Sequence, residues 1–318
     1  MNYRYARWFF VLLTLFFIAK IYLDEKSWKS IKDFPQLTEE SYPLLVIIII
    51  LIPLNWFLEG LKWRIFLPKD KKPGYFFTLK IIFAGVSLAI LTPNRMGDFI
   101  GRGLVSPIEM RQETVLATFM GNFCQFFVLI MAGIPALFFL FPLLASNGGN
   151  PMEIPVWVVF IWFLFCLTFL FTYTKIVAFS GQLFSKWQRT AAWAEKLETL
   201  SKTSNSALFS GLFLALIRYV VFSSQYYLVL LLFGIQLPFF QFYTGLASLY
   251  LFQTIIPLPP FYSLIARGEA SVLIWGIWDI PPIAAVTASY ILFVFNLIVP
   301  AIAGLCILIP LKKVKRKS

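Results

Sequence analysis

The stretch YVVFSSQYYLVLLLFGIQLPFFQFYTGLASLYLFQTIIPLPPFYSLIA, Tyr219 to Ala266, runs for 48 residues without a charged side chain and ends on Arg267-Gly268-Glu269. Nothing that long and apolar stays in water. A second polar cluster, Arg95-Met96-Gly97-Asp98 with Arg102, closes another apolar stretch in the first half. Charges at membrane depth are expensive and persist where they have a task. The chain therefore reads as a polytopic membrane protein with two polar sites, and as a transporter.

Composition agrees. Hydrophobic residues make up 59 % and charged residues 13 %, against about 25 % charged in soluble domains. No stretch of the 318 residues reads as a separate soluble domain. Trp8 to Ala19 behind a basic start could mimic a signal peptide, but no A-x-A-like site follows, so it reads as an uncleaved first span. The net charge of +12 is concentrated in a few loops and in the tail Lys312-Lys313-Val314-Lys315-Arg316-Lys317. That is the positive-inside pattern with attraction to anionic headgroups, not a nucleic-acid surface. Cys124, Cys166 and Cys306 lie in apolar runs and read as core residues rather than a disulfide framework. Histidine is absent, which removes imidazole acid–base chemistry and most metal sites. No metal and no cofactor is expected, and no nucleophile–base pair or phosphate-binding loop marks an enzyme.

Hydropathy gives six full spans: Arg7–Tyr22, Ser41–Leu58, Thr114–Leu144, Ile154–Thr174, Ala207–Phe233 and Pro282–Leu311. Basic loops at Glu59–Lys72 and Lys175–Lys202, with both termini, belong on the cytoplasmic side. Asp24–Glu40 has three Lys against five acids, and Ala145–Glu153 has no Lys or Arg; both belong outside. Parity then decides the remainder. Tyr75–Leu91 lies between two inside points, so it must enter and return, turning near Thr92-Pro93. Gln241–Asp279 lies between two outside points and must do the same from the opposite face, with a short return leg at Ala270–Trp278. The expected fold is all-α: six spans plus two re-entrant helical hairpins. A first repeat at 1–144, a linker at 145–155 and a second repeat at 156–318 form an inverted repeat. A faint echo supports the pairing. Phe76-Phe77-Thr78, Pro93 and Arg102-Gly103 match Phe242-Tyr243-Thr244, Pro257 and Arg267-Gly268. The stretch Ser180–Ser206 reads as an amphipathic surface helix.

The candidate site follows from these clusters. A helix starting at Pro93 and capped by Thr92 would set Arg95, Asp98 and Arg102 on one face. Its N-terminus and two arginines would cradle a phosphate. The bland alternative is juxtamembrane charges that pair with each other. At the second site Pro257, Pro259 and Pro260 forbid a continuous helix, and such backbone at membrane depth belongs beside a cavity or inside protein. Arg267 and Glu269 follow on different helical faces, with Gly97 and Gly268 beside the two arginine clusters. Arg218 sits twelve residues into its span, near mid-membrane, and needs an acid or a substrate phosphate; Asp98 and Glu269 are the candidates. Gln225 shares its face. Asn122, Gln125 and Asn296 read as interhelical contacts. Glu59 and Lys62, near a span end, are open to two readings, members of the site or a solvated interface, and the second is preferred.

These residues resemble the transmembrane, flippase-like domain family of lysylphosphatidylglycerol synthases. Thr92, Pro93, Arg95, Gly97 and Asp98 match its first-half motif T-P-x-R-x-G-[DE]. Pro257, Pro259, Arg267 and Glu269 match part of its second, where the family's paired glycines are replaced by Pro260 and Phe261. Leu216-Ile217-Arg218-Tyr219 and Gln225-Tyr226-Tyr227 are also similar to members. The resemblance implies a bacterial inner-membrane protein that moves a phospholipid or lipid-linked substrate between leaflets. The synthases' aminoacyl-transferase domain has no counterpart here, so lipid aminoacylation is not expected. A membrane-embedded enzyme acting on a lipid carrier and a non-transporting scaffold stay open.

Overall fold

The computed structural model describes residues 39–92, 95–145, 155–185, 203–255 and 260–314. The expected first span, Pro93, Pro257, Pro259, most of the 145–155 linker and most of the 180–206 surface helix lie outside them.

Every regular element among the described residues is helical, as hydrocarbon demands of a backbone that cannot bond to water. In order they are α1 (Tyr42–Ile65), α2 (Tyr75–Ala89), α3 (Gly97–Val105), α4 (Arg111–Ala145), α5 (Val156–Ser185), α6 (Asn205–Leu232), α7 (Phe239–Ile255), α8 (Pro260–Trp275) and α9 (Pro282–Phe293). A π-helical turn, Val294–Ile298, joins α9 to α10 (Val299–Val314). Four segments are long and apolar enough to cross a membrane: Tyr42–Ile65, Ile108–Leu143, Asn205–Leu232 and Pro282–Pro310. The apolar part of α5, Trp157–Tyr173, is shorter. Helix α1 continues seven residues past its expected end at Leu58.

Helices α2 and α3 form a tight antiparallel hairpin. Gly97 faces the Leu88 carbonyl, and Gly101, four residues on, faces the Ala84 carbonyl four residues back. A Cβ at either glycine would run into backbone, so this G-x-x-x-G pair is what lets the two helices touch. Thr92 acts as a clasp. Its Oγ1 accepts from the Gly97 N–H (2.6 Å) and donates to the Leu88 carbonyl (3.1 Å). Thr92 thus serves the helix start as expected, but α3 begins at Gly97, not at Pro93. Arg95 precedes the helix in the left-handed region (φ 56°) and does not share the face of Asp98 and Arg102.

Helices α7 and α8 form a second antiparallel hairpin. Arg267 reaches back to Gln253, and Trp275 stacks on Phe242 with ring centroids 6.0 Å apart. The return leg starts at Pro260 rather than Ala270, because proline suits the first turn of a helix. At 1.5 Å per residue the four hairpin legs span about 14 to 26 Å, each less than the roughly 30 Å hydrocarbon core.

Packing between the halves is reciprocal. Leg α2 lies along α10, where Gly304 meets the Phe83 carbonyl. Leg α7 lies along α4, where Gly133 meets Leu251. Helices α1 and α6 pack against each other between the hairpins. Tyr226, Phe242 and Trp275 with Ala284, Ala285 and Ala288 form the core on the second-hairpin side. Apolar side chains such as Phe160, Phe165 and Phe171 of α5 face outward, as lipid contact permits.

Candidate functional site

Asn55, Glu59 and Lys62 stand four and three residues apart on α1, so they share one face. The same spacing puts Asp98 and Arg102 together on α3. A seven-residue interval aligns Arg218 and Gln225 on α6. These faces meet in the interior, and the polar side chains join there.

Glu59 is the centre. Its Oε1 accepts from Arg102 Nη2 at 3.1 Å; its Oε2 lies 2.7 Å from Lys62 Nζ and 2.9 Å from Arg218 Nη1. Arg102 also grips Asp98 with two donors, Nε to Oδ1 at 2.7 Å and Nη2 to Oδ2 at 3.0 Å. Asn122 of α4 donates to the same Asp98 carboxylate at 3.3 Å. Arg218 Nε donates to Asn55 Oδ1 (2.8 Å) and its Nη1 to Gln125 Oε1 (3.3 Å). Its guanidinium also sits over the Trp56 and Phe222 rings, 5.6 Å from each centroid. From Asn55 the chain continues. Asn55 Nδ2 donates to Asn296 Oδ1 (3.3 Å), Asn296 Nδ2 to Gln225 Oε1 (3.1 Å), and Gln225 Nε2 to the Ile48 carbonyl (3.3 Å). Asn296 can reach both halves because it sits in the π-helical turn. Such turns recur at functional sites.

Burial separates an inner set of both signs from an outer one. The Glu59, Asp98, Lys62 and Arg102 side chains are at most 5 % exposed. The Arg218 side chain is 13 % exposed, while Arg95 and Asn122 are exposed. Both carboxylates are therefore sealed inside, and what the cluster shows outward is cation and amide. Asn122, Gln125 and Asn296 are interhelical contacts as expected, but contacts within an ionic network.

Arg267 stands differently. Its Nη1 donates to Gln253 (2.7 Å) and its guanidinium lies over the Phe293 ring at 5.4 Å. Its Nε is buried with no acceptor, and it makes no ion pair among the described residues. Gly268 is buried, its Cα side facing the Tyr290 hydroxyl, and Glu269 is exposed. Phe293 adjoins the π-helical turn whose Asn296 bonds Asn55, the residue that holds Arg218. The two arginines thus flank one short stretch of structure. Arg95 is close enough for its charge to act on both.

Of the residues singled out in the sequence, the structure brings Asp98, Arg102 and Arg218 into one network. It places Arg95 and Arg267 beside that network and leaves Glu269 outside it. The partner of Arg218 is Glu59, not Asp98 or Glu269. Glu59 and Lys62 are buried rather than at a solvated interface, so of their two readings the structure favours the network; the apolar run stops at Leu58 while the helix does not. Their spacing from Asn55 was the signal for a shared buried face. A cleft of about 310 Å³ lies elsewhere, among Phe66, Glu113, Leu116, Met120 and Ser204, and no cation lines it.

No curated protein and no solved structure matches the chain. The family described as lysylphosphatidylglycerol synthase TM region matches residues 7–304. With its helices long and apolar enough to cross a bilayer, the chain is a multi-pass membrane protein and belongs to that family.

Proposed function

We propose that this protein moves a lipid with a phosphate-bearing headgroup between the leaflets of a bacterial inner membrane. The observation that carries the reading is that both carboxylates of the network are sealed while its outer side presents arginine. Glu59 and Asp98 are held by internal cations; Arg218, though paired with Glu59, is partly exposed, and Arg95 and Arg267 make no ion pair among the described residues. Guanidinium groups are suited to phosphate through paired donors. Membership of a family named for a lipid synthase's membrane region fits a lipid as cargo.

The reciprocal packing of hairpins on opposite halves supports an inverted repeat. The short legs support re-entrance from opposite faces, with both termini cytoplasmic. In this arrangement the headgroup passes between the hairpins, Arg267 and Arg218 hold it, and Arg95 guards the entrance. Asp98 and Glu59 orient Arg102 and Arg218.

Arg267→Gln is the discriminating variant. Arg218→Ala would take from Glu59 one of its three cations and confuse transport with folding, whereas no carboxylate among the described residues pairs with Arg267. In proteoliposomes carrying tail-labelled lipid, Arg267→Gln should lower transbilayer movement by about tenfold, as loss of one charge-assisted contact does. Its thermal transition should stay unchanged. Transport at the unaltered rate would count against the site.

A further inference from the structure

The number of cations at the site is larger than a single phosphodiester requires. Within the network three cations, Lys62, Arg102 and Arg218, face two carboxylates, Glu59 and Asp98. Arg267 adds a cation with no acid beside it, and Arg95 adds another at the hairpin turn. Among the described residues, three positive charges are therefore left without a paired carboxylate, and isolated charge at membrane depth is costly. The donors tell the same story. A guanidinium carries five N–H groups; Arg267 gives one to Gln253, and its buried Nε has no acceptor among the described residues.

The complement is also informative. An ammonium group on a headgroup would need a carboxylate, and both in the network are sealed. Glu269 is the exposed acid of the second hairpin, but two residues along a helix put it about 200° around α8 from Arg267. Among the described residues, the network offers guanidinium donors to negative charge and no unsealed carboxylate to positive charge.

Resting on the translocator reading, we propose that the cargo's phosphate carries at least two negative charges, as a phosphomonoester or a pyrophosphate does, and that a phosphodiester is a poor substitute. The network and Arg267 then take up the charges together. Asn122, Gln125 and Gln253 supply neutral contacts.

Three measurements test this. Phosphatidylcholine vesicles containing the full chain receive trace tail-labelled phosphatidic acid, phosphatidylglycerol or phosphatidylethanolamine, and dithionite reports each label's arrival in the outer leaflet. Phosphatidic acid should move about tenfold faster than phosphatidylglycerol, and Arg267→Gln should erase that ratio. Equal rates for the two overturn the charge inference and leave lipid movement standing. Separately, sodium pyrophosphate should raise the thermal transition of the detergent-purified protein above that in sodium chloride of equal ionic strength, and Arg267→Gln should abolish the rise. No rise overturns the polyanion site, whatever the vesicles show. Pyrophosphate trapped in the same vesicles should stay inside. Its escape, with labelled lipids immobile, would keep the polyanion site and overturn a lipid as its source.

Discussion

Replacing Glu59 by Gln would leave Lys62, Arg102 and Arg218 with only Asp98 to share. Asp98 is already held by Arg102 and Asn122, so Lys62 and Arg218 would lose their counter-charge. Breaking a buried pair from one side costs about 3–5 kcal/mol. Glu59→Gln should therefore lower the thermal transition of the purified protein well below that of Arg267→Gln, which removes a neutral contact to Gln253 and leaves no charge unpaired among the described residues. Equal transitions for the two variants would sink the view of Glu59 as the keystone. This residue also marks where reading the sequence fell short. Arg218 was legible because one charge in a long apolar run is conspicuous. Asp98 and Arg102 were legible because their cluster closes a run. Glu59 and Lys62 sit beside Leu58, at the point where hydropathy falls, and hydropathy does not register that the helix carries on to Ile65. Only the interval from Asn55 shows that all three share a face.

The two helix pairs, α2 with α3 and α7 with α8, were legible as elements because each apolar stretch is broken by proline near its middle; their re-entry from opposite faces belongs to the proposal. Their internal geometry was not legible, since it depends on how closely two backbones approach. Gly97, Gly101 and Gly103 look alike in sequence but meet different surroundings. A Cβ at Gly101 would strike the Ala84 carbonyl, while one at Gly103 would meet nothing within 4 Å. Gly101→Ala should destabilise the hairpin by about 1–3 kcal/mol, as overpacking does. Gly103→Ala should be neutral or stabilising by up to about 1 kcal/mol, through helix propensity. Thermal transitions of the two variants measured side by side check the pair; a shift of the same sign in both would contradict the close approach of α2 and α3.

For the whole molecule, the proposed arrangement puts the openings of the two hairpins on opposite sides of the bilayer. Gly74, ahead of α2, and Gly276, after α8, are exposed with free space around them, so cysteine fits at both. With Cys124, Cys166 and Cys306 replaced, Gly74→Cys should react with an impermeant maleimide only from the cytoplasmic side. Gly276→Cys should react only from the other. Labelling of both from one side would rule out the inverted repeat. The last span shows how the halves are tied together. Before Val294–Ile298, Ser289 of this span bonds Tyr226 in the second half; after it, Gly304 seats against Phe83 of the first hairpin. The widened turn takes up one extra residue between those two surfaces while leaving their relative facing nearly unchanged. Deleting a single residue from the regular winding beyond it, between Val299 and Ala303, where no widened turn takes up the change, would rotate everything that follows by about 100°. Ser289 would keep its partner while Gly304 turned away from its own, so that one-residue indel would uncouple the two halves without altering a single side chain in either.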